Sequence, residues 1–308
     1  MIVVCGEALF DVFAVEDTPT GMTLDARVGG SPFNVAVGLA RLAQPVCLLT
    51  QISRGFLGER LIRALNAEGV NTAAVQRSDA PTTLSLVGLD ARGVPSYSFY
   101  GDGCADRLLT LAALDALPRG VQAINVGSYA TVTGETANTQ RALVEREHLR
   151  TLIAYDPNIR LNVEPDIAVW RDQISWMLPR THLLKVSEED LELVYPGVGP
   201  QDFAALALAR SVACVVVTRG AQGAAAWTAG GQVKTAPVAI DVIDTVGAGD
   251  TFQAALLTWL AENEALTAAS LASLSIDALR NALNFAARAA AITCSRRGAD
   301  LPRRAELP

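Results

Sequence analysis

Apolar positions along this chain follow two alternating rhythms. Short unbroken runs read as buried strands, and between them lie longer stretches whose apolar residues recur at helical spacing. Residues 2–6 make the first run, and 46–52, 73–76, 121–126, 152–155 and 215–218 follow. Helical spacing fills the stretch after Pro32, then 55–68, 135–148, the segment that starts at Asp250, and 277–293. Two regions depart from this alternation. Residues 83–89 and 95–100 alternate on either side of Asp90-Ala91-Arg92-Gly93, which predicts a hairpin, and 24–28 alternates like a half-buried strand after the polar, turn-rich 16–23. Gly230-Gly231 marks another hairpin, and the apolar run Val238–Ile243 predicts a strand feeding the glycines at 247 and 249. Strands that alternate with helices imply an α/β fold, with a mostly parallel sheet covered on both faces and ligands beyond the carboxyl ends of the strands. There is no internal repeat, low-complexity tract or linker, so one domain over residues 1–308 is expected.

Composition narrows the field. The 308 residues are 50% hydrophobic and 19% charged, enough for a substantial core. A net charge of −7 with no basic block argues against a nucleic-acid surface. The apolar start, Ile2 to Cys5, meets Glu7 too soon for a signal peptide, and no later run is long enough to span a bilayer. Five cysteines, an odd number with no C-x-x-C pair, suit a reduced, cytoplasmic setting. His148 and His182 lie in unrelated contexts, more in keeping with structure than with catalysis.

The chemistry concentrates at glycine-to-helix junctions. Ile243-Asp244-Thr245-Val246-Gly247-Ala248-Gly249-Asp250 predicts a tight turn into a helix, whose unpaired amides and dipole favour an anion. A carboxylate at such a mouth has two readings. Asp250 either caps the helix or takes a proton from a hydroxyl attacking a phosphoryl group held there. A dinucleotide fingerprint fails at Phe252, where it needs a third glycine, and no P-loop Gly-Lys-Ser/Thr occurs. Gly29-Gly30-Ser31-Pro32 predicts a second such junction, with Ser31 as N-cap and Pro32 as first helical residue. Asn34 follows in the first turn, a mediocre helix former with a side chain that both donates and accepts. Asp11 and Asp156-Pro157-Asn158-Ile159-Arg160 follow strands and, alone, read as loop residues. Glu188, Glu189 and Asp190 at a helix start would suit its dipole.

Asp244 to Asp250 resembles the C-terminal signature of the PfkB-type (ribokinase-like) sugar kinases, D-T-x-G-A-G-D, at every named position. Gly29, Gly30, Asn34, Ala36 and Leu42 resemble the N-terminal signature, G-G-x-x-x-N-x-A-x-x-x-x-x-L-G, with Ala43 in place of the last glycine. Thr218, Gly220 and Gly223 are similar to the family's T-x-G-x-x-G nucleotide loop, and Asp156, Asn158 and Arg160 to its D-x-N-x-R element. The family's N-x-x-E motif reads Ser187 to Asp190 here. An acidic G-x-D-x-x-G element is replaced by Ser53-Arg54-Gly55-Phe56-Leu57-Gly58, Gly101 stands where fructokinase-like members often have arginine, and Ala287 replaces an asparagine.

The resemblance covers essentially the whole chain and implies a three-layer ribokinase-like fold with a small β-lid from about 12–28 and 83–101. Tyr97, Phe99 and Tyr100 would belong to that lid, as its core or facing the sugar, with at least two expected in the core. It implies ATP-dependent phosphorylation of a sugar hydroxyl, with Asp250 as base beside Gly247, Ala248 and Gly249. Asp11, Gly29, Gly30, Asn34 and Arg160 would hold the sugar. Lys185, Ser187, Thr218, Gly220, Gly223, Asn281 and Asn284 would serve ATP. Mg²⁺ would be served by Glu188, Glu189 or Asp190, directly or through water, and K⁺ by the carbonyls of Asp244 and Val246. The leads Cys5–Asp11 and Lys185–Asp190 look most like fructokinases, implying D-fructose phosphorylated at the 6-hydroxyl. The alternatives are a 2-keto-3-deoxygluconate kinase, a ribokinase, or a catalytically silent sugar-binding regulator. A homodimer through the lid is a further implication.

Overall fold

Ile2 and Val4 face one side of a sheet, Val3 and Cys5 the other, and all four are buried. A strand apolar on both faces needs cover on both, and this governs the architecture. The computed structural model describes residues 1–89 and 95–307. β1 (Ile2–Cys5) leads into a long hairpin, β2 (Leu9–Thr18) and β3 (Gly21–Gly29), and then α1 (Ser31–Arg41). β4 (Val46–Ser53), α2 (Phe56–Ala67) and β5 (Val75–Ser78) come next, then β6 (Leu84–Leu89) and β7 (Pro95–Tyr100). The middle of the chain holds β8 (Ala123–Gly127), α3 (Gly134–Glu147), β9 (Leu152–Asp156) and α4 (Ile167–Met177). β10 (Leu183–Ser187), α5 (Glu188–Val194), α6 (Pro200–Leu208) and β11 (Cys214–Thr218) follow. A hairpin of β12 (Ala224–Thr228) and β13 (Gly231–Thr235) precedes α7 (Ala248–Glu262), α8 (Ala268–Ala272) and α9 (Ile276–Cys294).

The nine-stranded sheet has the order β13-β12-β11-β10-β9-β8-β1-β4-β5. It is parallel from β5 to β11, and β12 and β13 add an antiparallel edge. From β1 the chain builds out to β5, then returns through β8 toward β13. The order therefore reverses beside β1, and a crevice opens there beyond the carboxyl ends. Residues of α1, α2, α7 and α9 join Val4, Leu48 and Val216 in one core. Residues of α3, α4, α5 and α6 join Val3, Leu49 and Val215 in the other. α1 lies against α7 closely enough that a Cβ on Gly38 would come 2.8 Å from the Cβ of Ala254.

A second sheet of four strands, in the order β3-β2-β6-β7, stands apart from the first. Its strands cover both segments expected to build a lid. β2 and β3 pair to Thr18↔Gly21, so the polar 16–23 stretch is mostly strand closed by a short turn, not an extended loop. Strands β6 and β7 pair as a hairpin, while the turn expected at Asp90–Gly93 lies outside the described residues. Of the aromatics expected in the lid core or facing the sugar, Tyr100 is 60% exposed, which removes it from a core, while Phe99 borders the crevice, the sugar-facing position. The Tyr97 side chain lies outside the described residues. A single-layer sheet has no second layer to cover its outer side, and Val15, Met22 and Leu24 are exposed as well.

The strand expected at Val238–Ile243 does not form. β13 already occupies the sheet edge, and this segment instead reaches the end of α9. There the Ile243 and Asp244 N–H groups donate to the Cys294 carbonyl at 2.8 and 3.2 Å. Val242 and Ile243 remain exposed, so apolar content alone was a poor guide. The N-cap of α1 is Gly30, not Ser31, at φ 101°. A Cβ there would meet the Glu7 carbonyl oxygen at 2.9 Å, so glycine alone fits both the angle and the space.

Candidate active site

Asp250 sits in the first turn of α7, behind an N-cap, Gly247, in the left-handed region at φ 77°. It does not cap the helix. Its Oδ1 accepts from the Ser31 hydroxyl at 2.6 Å and its Oδ2 from the Asn34 amide at 2.8 Å. Both donors come from α1, so packing of α1 on α7 holds the carboxylate. Burial pushes its pKa up, against the pull of those two hydrogen bonds and of the Lys185 charge. At the helix mouth the Ala248 N–H is taken by the Thr245 carbonyl at 3.2 Å. Gly249 and Asp250 remain as first-turn amides without an intrahelical acceptor. The ammonium of Lys185 lies 3.4 Å from where a Gly249 Cβ would stand. A fixed positive charge and a helix N-terminus therefore meet at one point, suited to an anionic group.

Asp250 forms one wall of a cleft of about 440 Å³, within the range of small-molecule sites. Asp11, Gly30, Asn34, Arg160, Gly247 and Gly249 line it too, so most of the residues expected at the sugar and the catalytic turn converge. Gly29 lies just behind, its backbone so close to Asp11 that a Cβ would clash with Oδ2. Burial raises the Asp11 pKa, while a Ser85 hydrogen bond and the Arg160 charge act the other way. Arg160 is exposed at the rim and donates to its neighbour's carbonyl, Ile159, at 2.9 Å.

The residues expected at the nucleotide lie outside this cleft, most of them toward the carboxyl ends of β10 and β11. Ser187 and Thr218 are register partners there. Lys185 is 3% exposed and donates to Asp156 Oδ2 at 2.5 Å, leaving Asp156 Oδ1 buried without a hydrogen-bond partner. Gly220 and Gly223 form the turn after β11, both at positive φ. Asn281 and Asn284 are exposed on α9, which packs over the β12–β13 hairpin. The structure does not bring these two asparagines to the cleft wall.

The three acids at the start of α5 do not converge. Ser187 is the N-cap, accepting from the Asp190 N–H at 3.0 Å. Asp190 turns inward, buried, and accepts from the Ile159 N–H at 3.1 Å. Glu188 pairs with Arg219 at 3.3 Å, and Glu189 is exposed. Among the described residues no group of three acids, histidines or cysteines could hold a metal unaided. A groove of about 740 Å³ along the outside of α5 is an open trough and holds none of the sugar candidates. The Asp244 carboxylate is engaged in its loop, accepting from Val246 N–H at 3.0 Å and Gly298 N–H at 2.8 Å.

Several cleft residues escaped the sequence reading. The sequence reading makes Ser31 an N-cap and gives no role to Glu7, Ser128 or Tyr129, yet all four line the cleft. Asp106, 1% exposed, accepts from Thr83 and, at 2.7 Å, from the Tyr129 hydroxyl. Glu7 and Ser128 share a signal, a polar residue just beyond a fully buried strand, where the crevice must lie. Among the described residues no helix is long and apolar enough to cross a membrane.

Comparison with known proteins agrees with this arrangement along the whole chain. A family model described as "pfkB family carbohydrate kinase" matches residues 1–305. A fructokinase of Rhizobium leguminosarum bv. trifolii is 34% identical over 281 residues, covering 91% of this chain and 86% of the relative. The fold is that of a fructokinase from Xylella fastidiosa solved with bound ATP, with a TM-score of 0.86 at 23% identity over 100% of this chain and 95% of the other. It is also that of a Vibrio cholerae fructokinase double mutant solved with fructose, ADP and potassium ion. There the TM-score is 0.80 at 22% identity over 97% of this chain and 93% of the other. With both signature turns meeting across one cleft and the family model spanning nearly every residue, this chain belongs to the pfkB family of carbohydrate kinases.

Proposed function

We propose that this enzyme transfers the terminal phosphoryl group of ATP to the 6-hydroxyl of D-fructose, with Asp250 as general base. The observation that carries the reading is the placement of Asp250. It is a buried carboxylate at a helix N-terminus, fixed by Ser31 and Asn34 and facing a cleft. A raised pKa brings such a base closer to the proton it must take. As the sugar oxygen bonds to phosphorus and the bond to ADP breaks, its proton passes to Asp250. The first-turn amides of α7 and Lys185 stabilise the charge on the transferring group.

Asp11, Gly29, Gly30 and Arg160 are assigned to the sugar, with Asn34 holding the base. Ser187, Thr218, Gly220, Gly223, Asn281 and Asn284 are assigned to ATP. Mg²⁺ needs only one or two protein carboxylates when phosphates supply other ligands. Buried Asp190 and the orphaned Oδ1 of Asp156 suit it better than Glu188 or Glu189. The metal would supply positive charge to the phosphate oxygens. K⁺ is assigned to the Asp244–Val246 loop, with support from the potassium ion of the Vibrio structure. The small sheet serves as the lid, and its exposed Val15, Met22 and Leu24 as the contact of a homodimer.

Fructose is favoured by the name of the Rhizobium relative and by charge. Asp11 and Asp250 line the cleft against a single arginine, Arg160, which suits a neutral polyol better than a sugar acid. The test is a sugar panel with coupled ADP detection and assignment of the phosphorylated carbon by NMR. D-fructose is expected to give the highest kcat/KM. A preference of about tenfold for 2-keto-3-deoxygluconate would overturn the substrate. Absence of ADP with every sugar would overturn the kinase mechanism, and sugar binding without turnover would point to a regulator.

A further inference from the structure

Glu7 lies one residue beyond β1, after Gly6, and is 1% exposed, yet it lines the cleft. Its carboxyl is hydrogen-bonded to Ser128, while Oε2 is buried with no partner. A buried carboxyl oxygen left unsatisfied is costly, and such groups call for an explanation. Nothing in the phosphoryl-transfer mechanism uses it. The main charges acting on Glu7 are Asp106 and Arg160, whereas those acting on Asp250 are Lys185 and Asp156. The two acids thus answer to different ends of the site. Ser128 is held at φ 56°, an uncommon angle for serine, where its side chain meets Glu7.

We propose that Glu7 is a sugar-contacting residue, its orphaned Oε2 completed by a hydroxyl of the bound sugar, and that it binds in its protonated form. The inference rests on the sugar-kinase reading and adds to it a second acid that selects a neutral polyol. The groups facing Glu7 are Cys5 on β1, Asp106 in the loop after β7, Tyr129 after β8 and Arg160 after β9. Only Arg160 is positive, and it stands exposed at the rim. Burial accordingly pushes the Glu7 carboxyl up to about 8. A neutral acid can donate to one sugar oxygen where a carboxylate can only accept. A sugar entering the cleft displaces water and makes the charged form costlier still, so sugar and proton bind together.

The experiment measures the dissociation constant of the preferred panel sugar by calorimetry without ATP, and its KM with ATP, from pH 6 to 9.5. Parent, Glu7→Gln and Ser128→Gly are compared. Glutamine keeps the shape and the donor but cannot ionise, and glycine accepts the Ser128 backbone while removing the hydroxyl. In the parent, Kd and KM for the sugar should rise above about pH 8, approaching tenfold per pH unit, with KM for ATP flat. Glu7→Gln should abolish that rise. Ser128→Gly should move it to higher pH, because the lost hydrogen bond had favoured the charged form. Coincident pH profiles in parent and Glu7→Gln would overturn the assignment while leaving the kinase reading intact. Should Glu7→Gln fail to fold, an unmoved profile in Ser128→Gly would overturn it equally. Failure of any sugar to bind or turn over would remove the kinase reading, and this inference with it.

Discussion

At the scale of single residues, the position of Asp250 was legible and its partners were not. The D-T-x-G-A-G-D run located the acid, yet its sequence left capping and base catalysis equally open. The hydrogen bonds from Ser31 and Asn34 remove the capping reading, because a carboxylate bonded to another helix is not capping its own. Those bonds span more than two hundred positions of sequence, a separation no local pattern encodes. They also sharpen the test. Asp250→Asn must turn its NH₂ toward one of two donors, losing about 0.5–1.5 kcal/mol of stability, a small drop in Tm. Turnover should fall about 10²–10⁴-fold while sugar and ATP still bind. In the parent, the base works only when ionised, so kcat should fall as pH drops through the Asp250 pKa. Because burial raises that pKa, the acid limb should lie above the ordinary carboxylate range. Turnover in the asparagine variant close to the parent's would reject Asp250 as the base.

Elements were read well where periodicity was strict and poorly where chain direction mattered more than composition. β1, β4, β8, β9 and β11 follow from runs that only a doubly covered sheet can bury. Val238–Ile243 has the same composition but no strand beside it, and it became an exposed connection to the end of α9. β9 and β10 carry the element-scale prediction. The Lys185–Asp156 pair joins their carboxyl ends, both residues being at most 5% exposed. Lys185→Met would leave Asp156 buried without its cation, which typically destabilises by about 3–5 kcal/mol. Adding Asp156→Asn should restore much of the Tm, since no lone charge then remains. Turnover should stay low in both, because the charge beside Gly249 is gone. Recovery of turnover in the double variant would mean that Lys185 supports only the fold.

For the whole molecule, the order of strands and helices made the fold class readable before any coordinates, and the family signatures at Gly29 and Asp250 extended it to the lid segments. What stayed hidden was how the small sheet is covered. The contact proposed for its exposed Val15, Met22 and Leu24 would lie in an assembly, a surface that a single chain's sequence does not display. Sedimentation of the parent should show a dimer, and Val15→Glu with Met22→Glu should shift it toward monomer, since a charge buried in an apolar contact is penalised. An unchanged sedimentation coefficient would place any dimer contact elsewhere.

The tie between α1 and α7 has a consequence for the chain as it is made. A ribosome delivers Ser31 and Asn34 early and Asp250 only in the last fifth of the 308 residues. Until α7 emerges and docks on α1, a growing chain has the loops assigned to the sugar but not the residue proposed as base. On the proposed mechanism, partly synthesised copies do not spend ATP, and the enzyme switches on only when its two distant segments have found each other.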